Sequence, residues 1–164
     1  MKDYLEEVLD GDKYACVDSD EVGLNWWDDA GTEKESMYGE DTLNEAVKMA
    51  GNKDLVFVSC LNPLDYFQKI DAPEEIEGSF FIVLNPTDEV IENRLKARPA
   101  ERGFTSDEII RPHIEYNGWC RRNRSKFQLV INNTEISEEE TARIISSFIH
   151  RQSEERYLPP QFCN

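Results

Sequence analysis

Histidine, cysteine and positive charge are all scarce in this sequence. Its 164 residues hold two His, four Cys, and 18 Lys and Arg against 34 Asp and Glu, for a net charge of −16. The cysteines fall at 16, 60, 120 and 163, no two form a C-x-x-C pair, and neither His113 nor His150 lies near one. That spacing argues against a zinc site. It also argues against a disulfide framework, which fits a reducing, cytoplasmic setting. Cys16 and Cys60 sit in apolar strand-like runs and read as core thiols. No apolar run is long enough to span a bilayer, and the N-terminus lacks the apolar core of a signal peptide. Internal repeats are absent. So strong an acidic balance argues against general nucleic-acid binding, which depends on neutralising phosphates. The acids are dispersed rather than arrayed, which also disfavours a nucleic-acid mimic.

What is present builds a core. Hydrophobic residues make up 39% of the chain and include three Trp, six Tyr and eight Phe. They come in compact runs, which excludes global disorder. The length is that of one domain. Residues 1–9 (MKDYLEEVL) carry Tyr4, Leu5 and Val8 at helical spacing, with Gly11 available to end the helix. It reads as the second half of a helix whose start is missing. A strand follows at 13–17 (KYACV) and ends in Asp18, Ser19 and Asp20. Residues 23–35 are irregular and polar and contain Trp26 and Trp27. Thr42-Leu-Asn-Glu45 has the form of a capping box, opening a helix that ends at Gly51. Residues 54–60 (DLVFVSC) are continuously apolar, as in a parallel strand covered on both faces. A mixed connection over 62–78 contains one helical turn at 64–69.

Residues 80–84 form the next buried strand. Asn85 then caps a helix with Pro86 at its first position. Thr105-Ser-Asp-Glu108 is a second capping box, for a helix running to about residue 124 that Pro112 bends or splits. The fourth strand is 127–131 (FQLVI), closed by Asn132, Asn133 and Thr134. Ser137-x-x-Glu140 opens a last amphipathic helix. Residues 153–164 form a surface extension, leaving 1–152 as the domain. Apolar strands alternating with amphipathic helices predict an α/β fold, three layers with one parallel sheet. Ligands in such folds bind at the carboxyl ends of the strands.

One segment reverses the charge. Nine of the 18 Lys and Arg lie between Arg94 and Lys126, against four acids, so this stretch is +5 while the rest is −21. Arg94, Arg98 and Arg102 fall around a helix end, a proline and a glycine, a lid-like loop over about 98–106. Forked guanidinium donors there suit phosphate oxygens. The bland alternative is solvated helix charge paired with Glu92 or Glu101. For Arg121, Arg122 and Arg124 a phosphate role is the weaker reading, since a basic helix end beside its own dipole is a sufficient explanation.

In combination these features resemble small P-loop kinases, the group of nucleoside monophosphate, shikimate and gluconate kinases. RLKARPAERG is like their arginine lid. FQLVINNTEISEEETARIISSFI is similar to their last strand, Asn/Thr turn and final helix. Asp18-Ser19-Asp20 looks like their acidic substrate site. The resemblance spans residues 1–150. It implies phosphoryl transfer from ATP, with Mg²⁺, to a small molecule or nucleotide. Arg94, Arg98 and Arg102 would neutralise phosphate charge, with Arg98 and Arg102 acting in transfer. Asp18 or Asp20 would hold or deprotonate the acceptor. Asn133 and Thr134 would lie beside the base.

The chain departs from the family at its defining element. None of the eight glycines is followed by Lys-Ser or Lys-Thr, so the phosphate-cradling G-x-x-x-x-G-K-[ST] loop is missing. The resemblance places that loop and the central strand before it ahead of Met1. ATP binding and turnover are then expected to be impaired, and the strands beside the gap need a neighbour, such as a second copy forming a homodimer. A degenerate, non-catalytic binding or assembly module is the alternative. Other readings are local. Trp26 and Trp27 serve packing or stack on a substrate ring. His113 and His150 are structural. Glu138 to Glu140 form a helix N-terminal turn rather than a metal site.

Overall fold

The structure, a computed structural model, describes residues 1–29, 31–35, 37–60, 76–99, 103 and 105–157, and of residues 27 and 154–157 the backbone alone. Arg102, Cys163 and the expected turn at 64–69 lie outside the described residues. The chain forms two compact units, Met1–Ser79 and Phe80–Asn164. Both are α/β.

The first unit opens with α1 (Lys2–Val8), then β1 (Tyr14–Asp18), a 3-10 turn at Ser19–Glu21, a single helical turn α2 (Trp26–Asp29), α3 (Tyr38–Ala50) and β2 (Asp54–Val58). β1 and β2 run parallel, with Tyr14 opposite Asp54 and Asp18 opposite Val58. A parallel pair cannot be joined by a tight turn and needs a crossover, here supplied by α3. α3 packs on both strands and α1 on β1. Leu5, Leu9, Tyr14, Val17, Leu43 and Ala46 are buried between them. Each large apolar side chain fully buried this way contributes about 1.5–3 kcal/mol. Gly51 ends α3 at φ 61°, ψ −118°, a conformation open to glycine and strained for other residues.

The second unit holds β3 (Ile82–Leu84), α4 (Asp88–Lys96), α5 (Asp107–Arg122), a 3-10 turn at Arg124–Lys126, β4 (Leu129–Ile131) and α6 (Glu138–Tyr157). β3 and β4 are again parallel, Ile82 facing Leu129 and Leu84 facing Ile131. Val83, Leu95, Ile110, Cys120, Phe127, Ile131, Ala142, Ile145 and Phe148 form its core.

Several local expectations are corrected. Among the described residues the strands pair two by two, β1 with β2 and β3 with β4. Thr42 does not cap α3. It lies a turn inside, fully buried, and its hydroxyl donates to the Tyr38 carbonyl at 2.6 Å. The helix starts earlier because the Tyr38 ring is buried edge-on against Trp26, with centroids 5.3 Å apart. Asn85 does not cap α4: the helix starts only at Asp88, with Thr87 at its N-cap position, and the Asn85 side chain is turned to Asn117 instead. Ser106 rather than Thr105 holds the N-cap position of α5, and neither Ser106 nor Thr87 makes a side-chain cap hydrogen bond. Pro112 neither splits nor ends α5, which is continuous past it. It lies in the second turn and is exposed, so the helix loses one hydrogen bond and gains no buried orphan. Cys60 is exposed and is not a core thiol, because β2 ends at Val58. Ser137 does cap α6, its Oγ accepting from the Glu140 N–H at 3.1 Å. That helix runs on to Tyr157, into the stretch expected to be extension. No helix among the described residues is long and apolar enough to cross a membrane.

Candidate functional site

The carboxyl ends of β3 and β4 open onto a cavity of about 370 Å³, lined by Asn85, Pro86, Thr87, Arg121, Arg124, Val130 and Asn132. A buried polar network holds Asn85, one of its lining residues. Asn85 is 6% exposed and Asn117, on the inner face of α5, is 4% exposed. The Asn85 Nδ2 donates to the Asn117 carbonyl at 2.9 Å and also to its Oδ1. Asn117 Nδ2 donates in turn to the Pro86 carbonyl and to Asp88 Oδ1, both at 2.9 Å. Asp88 also pairs with Arg121. One asparagine on α5 thus fixes the turn between β3 and α4, which is where the cavity begins.

The charges at the cavity are unequal. Arg121 is partly neutralised by Asp88, whereas Arg124 is exposed and has no ion pair among the described residues. Asp88 and Glu89 occupy the first turn of α4 and offset its positive helix end. Net attraction for an anion therefore rests chiefly on Arg124.

Asn133 and Thr134, expected beside a nucleotide base, lie next to this cavity, and the Thr134 side chain and the Asn133 backbone are engaged in holding the loop. Thr134 Oγ accepts the Thr87 N–H at 2.9 Å and donates to Asn132 Oδ1 at 2.6 Å. Asn133 is 3% exposed, and its Oδ1 is buried with no hydrogen-bond partner among the described residues. Its carbonyl accepts from Arg94 Nη2 at 3.0 Å. Arg94 is therefore a clamp on the loop after β4, and that bond competes with a phosphate role. Arg98 is exposed beyond the end of α4. It lies close enough to His113 to act on that residue's charge, and burial with this cation lowers the His113 pKa below its ordinary value.

That shift gives a pH signature. With the folded pKa depressed, the unfolded chain binds the proton first as pH falls. Stability present above about pH 6.5 is then lost progressively below it, through the folded pKa. His113→Gln is expected to flatten the slope of urea-unfolding stability against pH between about 7 and 5.5, in the window where ordinary carboxylates stay ionised.

In the first unit, the strand end holds Asp18 and Asp20 together. Asp18 Oδ1 accepts the Asp20 N–H at 3.0 Å and caps the 3-10 turn. Asp20 is exposed, while Ser19 between them is buried. Tyr38 stays protonated to unusually high pH, chiefly through burial and also through the nearby Asp20 and Asp29 charges. Among the described residues no group of three or more His, Cys, Asp or Glu could hold a metal ion. Glu139 pairs with Arg143 at 2.5 Å, a helix-surface pair at the start of α6.

Sequence reasoning missed Asn117 and the true use of Asn85. The signal for Asn117 was its spacing, seven residues after Ile110 and three before Cys120, which places a polar side chain on the buried stripe of α5. The chain matches no protein-family model, no curated protein and no solved structure.

Proposed function

We propose that this chain is a kinase-like nucleotide-binding protein in which phosphoryl transfer is impaired. The observation that carries the reading is the arginine-bearing cavity at the carboxyl ends of β3 and β4. It is the place where parallel α/β sheets bind ligands. The strand pairing supports the same reading. Each unit holds one parallel pair, β1–β2 and β3–β4, and parallel pairing is what a kinase-like sheet uses. A strand from a second copy is one neighbour that such a pair would take, and the setting we propose is cytoplasmic.

The residues fit a single anionic group better than a magnesium triphosphate. Arg124 supplies an uncommitted guanidinium, but the sequence has no glycine-rich loop with its lysine. Within the family reading, Asp20 remains exposed and able to meet a small-molecule or nucleotide acceptor, while Asp18 and Arg94 hold backbone. Those structural commitments favour a second reading, a binding or assembly module without catalysis.

Calorimetry on the full chain tests both. Millimolar affinity for ADP and for MgATP is expected, about −4 kcal/mol, and Arg124→Ala should weaken it several-fold. Micromolar MgATP binding would contradict the impaired-kinase reading. Undetectable binding of either nucleotide, with Arg124→Ala indistinguishable from the parent, would leave the non-catalytic module.

A further inference from the structure

The two arginines at the cavity are not equivalent, and the difference bears on what the cavity holds. Arg121 lies in the last turn of α5 and Arg124 opens the 3-10 turn after it, and both line the cavity at the carboxyl ends of β3 and β4. Arg122, between them in sequence, is not one of its lining residues. A Cβ placed on Gly118 would meet Arg122 Nη1 at 3.3 Å, so that guanidinium lies back along α5.

Arg121 already has an internal anion. Asp88 Oδ1 accepts from Arg121 Nη2 and, at 2.9 Å, from Asn117 Nδ2. The contact uses one nitrogen of the guanidinium, and the rest of its fork makes no hydrogen bond among the described residues. The two side chains are 43% and 45% exposed, and an ion pair this open to water is weak. A ligand can therefore take Arg121 from Asp88. Arg124 has no ion pair to give up among the described residues.

Charge decides which ligand does so. The two guanidiniums and the Asp88 carboxylate leave one net positive charge. A monoanion is answered by Arg124 alone, and drawing Arg121 off a carboxylate of equal charge only exchanges one pair for another. A phosphate monoester carries a second negative charge above about pH 6. It matches both guanidiniums, and its oxygens accept forked, charge-assisted hydrogen bonds. Resting on the nucleotide-binding reading of this cavity, we propose that it recognises a terminal phosphate dianion through Arg121 and Arg124 together, and that Asp88 is the internal counter-anion from which Arg121 is handed over. Asp88 keeps the affinity low. Its bond from Asn117 does not depend on Arg121, so the turn between β3 and α4 stays held while the guanidinium changes partner.

The test uses the full chain at pH 8 and NMR titration of adenosine 5′-monophosphate and of its methyl phosphodiester, which differ by one charge. The monoester is expected to bind about fivefold more tightly. Arg121→Ala should weaken the monoester about tenfold and leave the diester within about twofold. Asp88→Asn, which keeps an oxygen for Asn117, should tighten the monoester about threefold, and Asp88→Asn/Arg121→Ala should show no such gain. Arg122→Ala removes the same charge away from the cavity and should change the affinity less than twofold, as a control on general electrostatics. Should Asp88→Asn disturb folding, Arg121→Ala with the two ligands carries the test, because that side chain is exposed. Equal affinity of the parent for both ligands, or equal loss of both in Arg121→Ala, would overturn the proposal, as would weaker monoester binding in Asp88→Asn. Monoester binding that needs Arg124 but ignores Arg121 and Asp88 overturns the hand-over and leaves the nucleotide-binding reading standing. No binding of the monophosphate, ADP or MgATP overturns both.

Discussion

Replacing Asn117 with leucine is expected to lower the stability of the second unit by about 3 kcal/mol, more than any surface change in the protein. Leucine is bulkier than asparagine and carries no polar atom, so crowding at this buried position adds to the loss of the hydrogen bonds. The substitution removes the acceptor for Asn85 Nδ2 at the side chain and both donors, to the Pro86 carbonyl and to Asp88. Asn85 and Pro86 are buried, so their freed groups find no water to replace what is lost. Each such orphan costs about 1–3 kcal/mol, and Asn85 keeps part of its bonding through the Asn117 backbone carbonyl. Urea unfolding followed by circular dichroism measures the change. Asn117→Asp is expected to be worse still, because it places a second carboxylate against Asp88. A double variant, Asn85→Leu/Asn117→Leu, should recover part of the loss, since removing both partners leaves fewer orphans than removing one. Full additivity of the two single losses would contradict the network. Asn85 and Pro86 also line the cavity, so Asn117→Leu is expected to reduce anion binding there as well.

The same residues explain what was legible in the sequence. All four strands could be read, because continuous apolar runs such as 54–58 need no partner to be recognised. The alternation with helices gave the α/β class for the same reason. The capping signals divided on a different principle. Ser137-x-x-Glu140 and Thr42-x-x-Glu45 look alike in a local window, yet only the first caps a helix. Burial of Tyr38 on Trp26 decided the second case by extending α3 backwards by a turn. Asn85-Pro86 failed similarly, because the partners of Asn85 are Ile131 and Asn117, 46 and 32 residues away. Arg94 has its partner at Asn133, 39 residues on. A short-range reading sees a free guanidinium at Arg94, while the fold supplies a carbonyl. Arg124, read from sequence chiefly as a helix-end charge with a phosphate role as the weaker reading, is the cation at the cavity without an ion pair among the described residues.

Phe148→Ala is expected to cost about 3–4 kcal/mol, the largest effect of any single core truncation in the second unit. The ring is 8% exposed on α6, on the stripe that also buries Ala142 and Ile145. It packs edge-on against Phe80 at 5.9 Å between centroids, just before β3. Removing it therefore loses the transfer energy of the ring, the aromatic pair and the filling of the space behind them. Phe80 is already 40% exposed and would lose this ring partner. Phe80 also sets the start of β3 through its neighbour Phe81, whose carbonyl accepts the Gln128 N–H at 3.0 Å. Loosening that end should fray the β3–β4 pair from its amino-terminal side, since a two-stranded sheet has little stability of its own. Hydrogen exchange distinguishes this from uniform destabilisation. Faster exchange is expected at the Gln128 and Leu129 amides than at Asn85, whose N–H closes the opposite end on Ile131 at 2.8 Å. Phe148→Leu should restore about half the loss by refilling volume without the ring pair. Equal exchange at both ends would show that Phe148 supports the unit as a whole rather than this end of the strands.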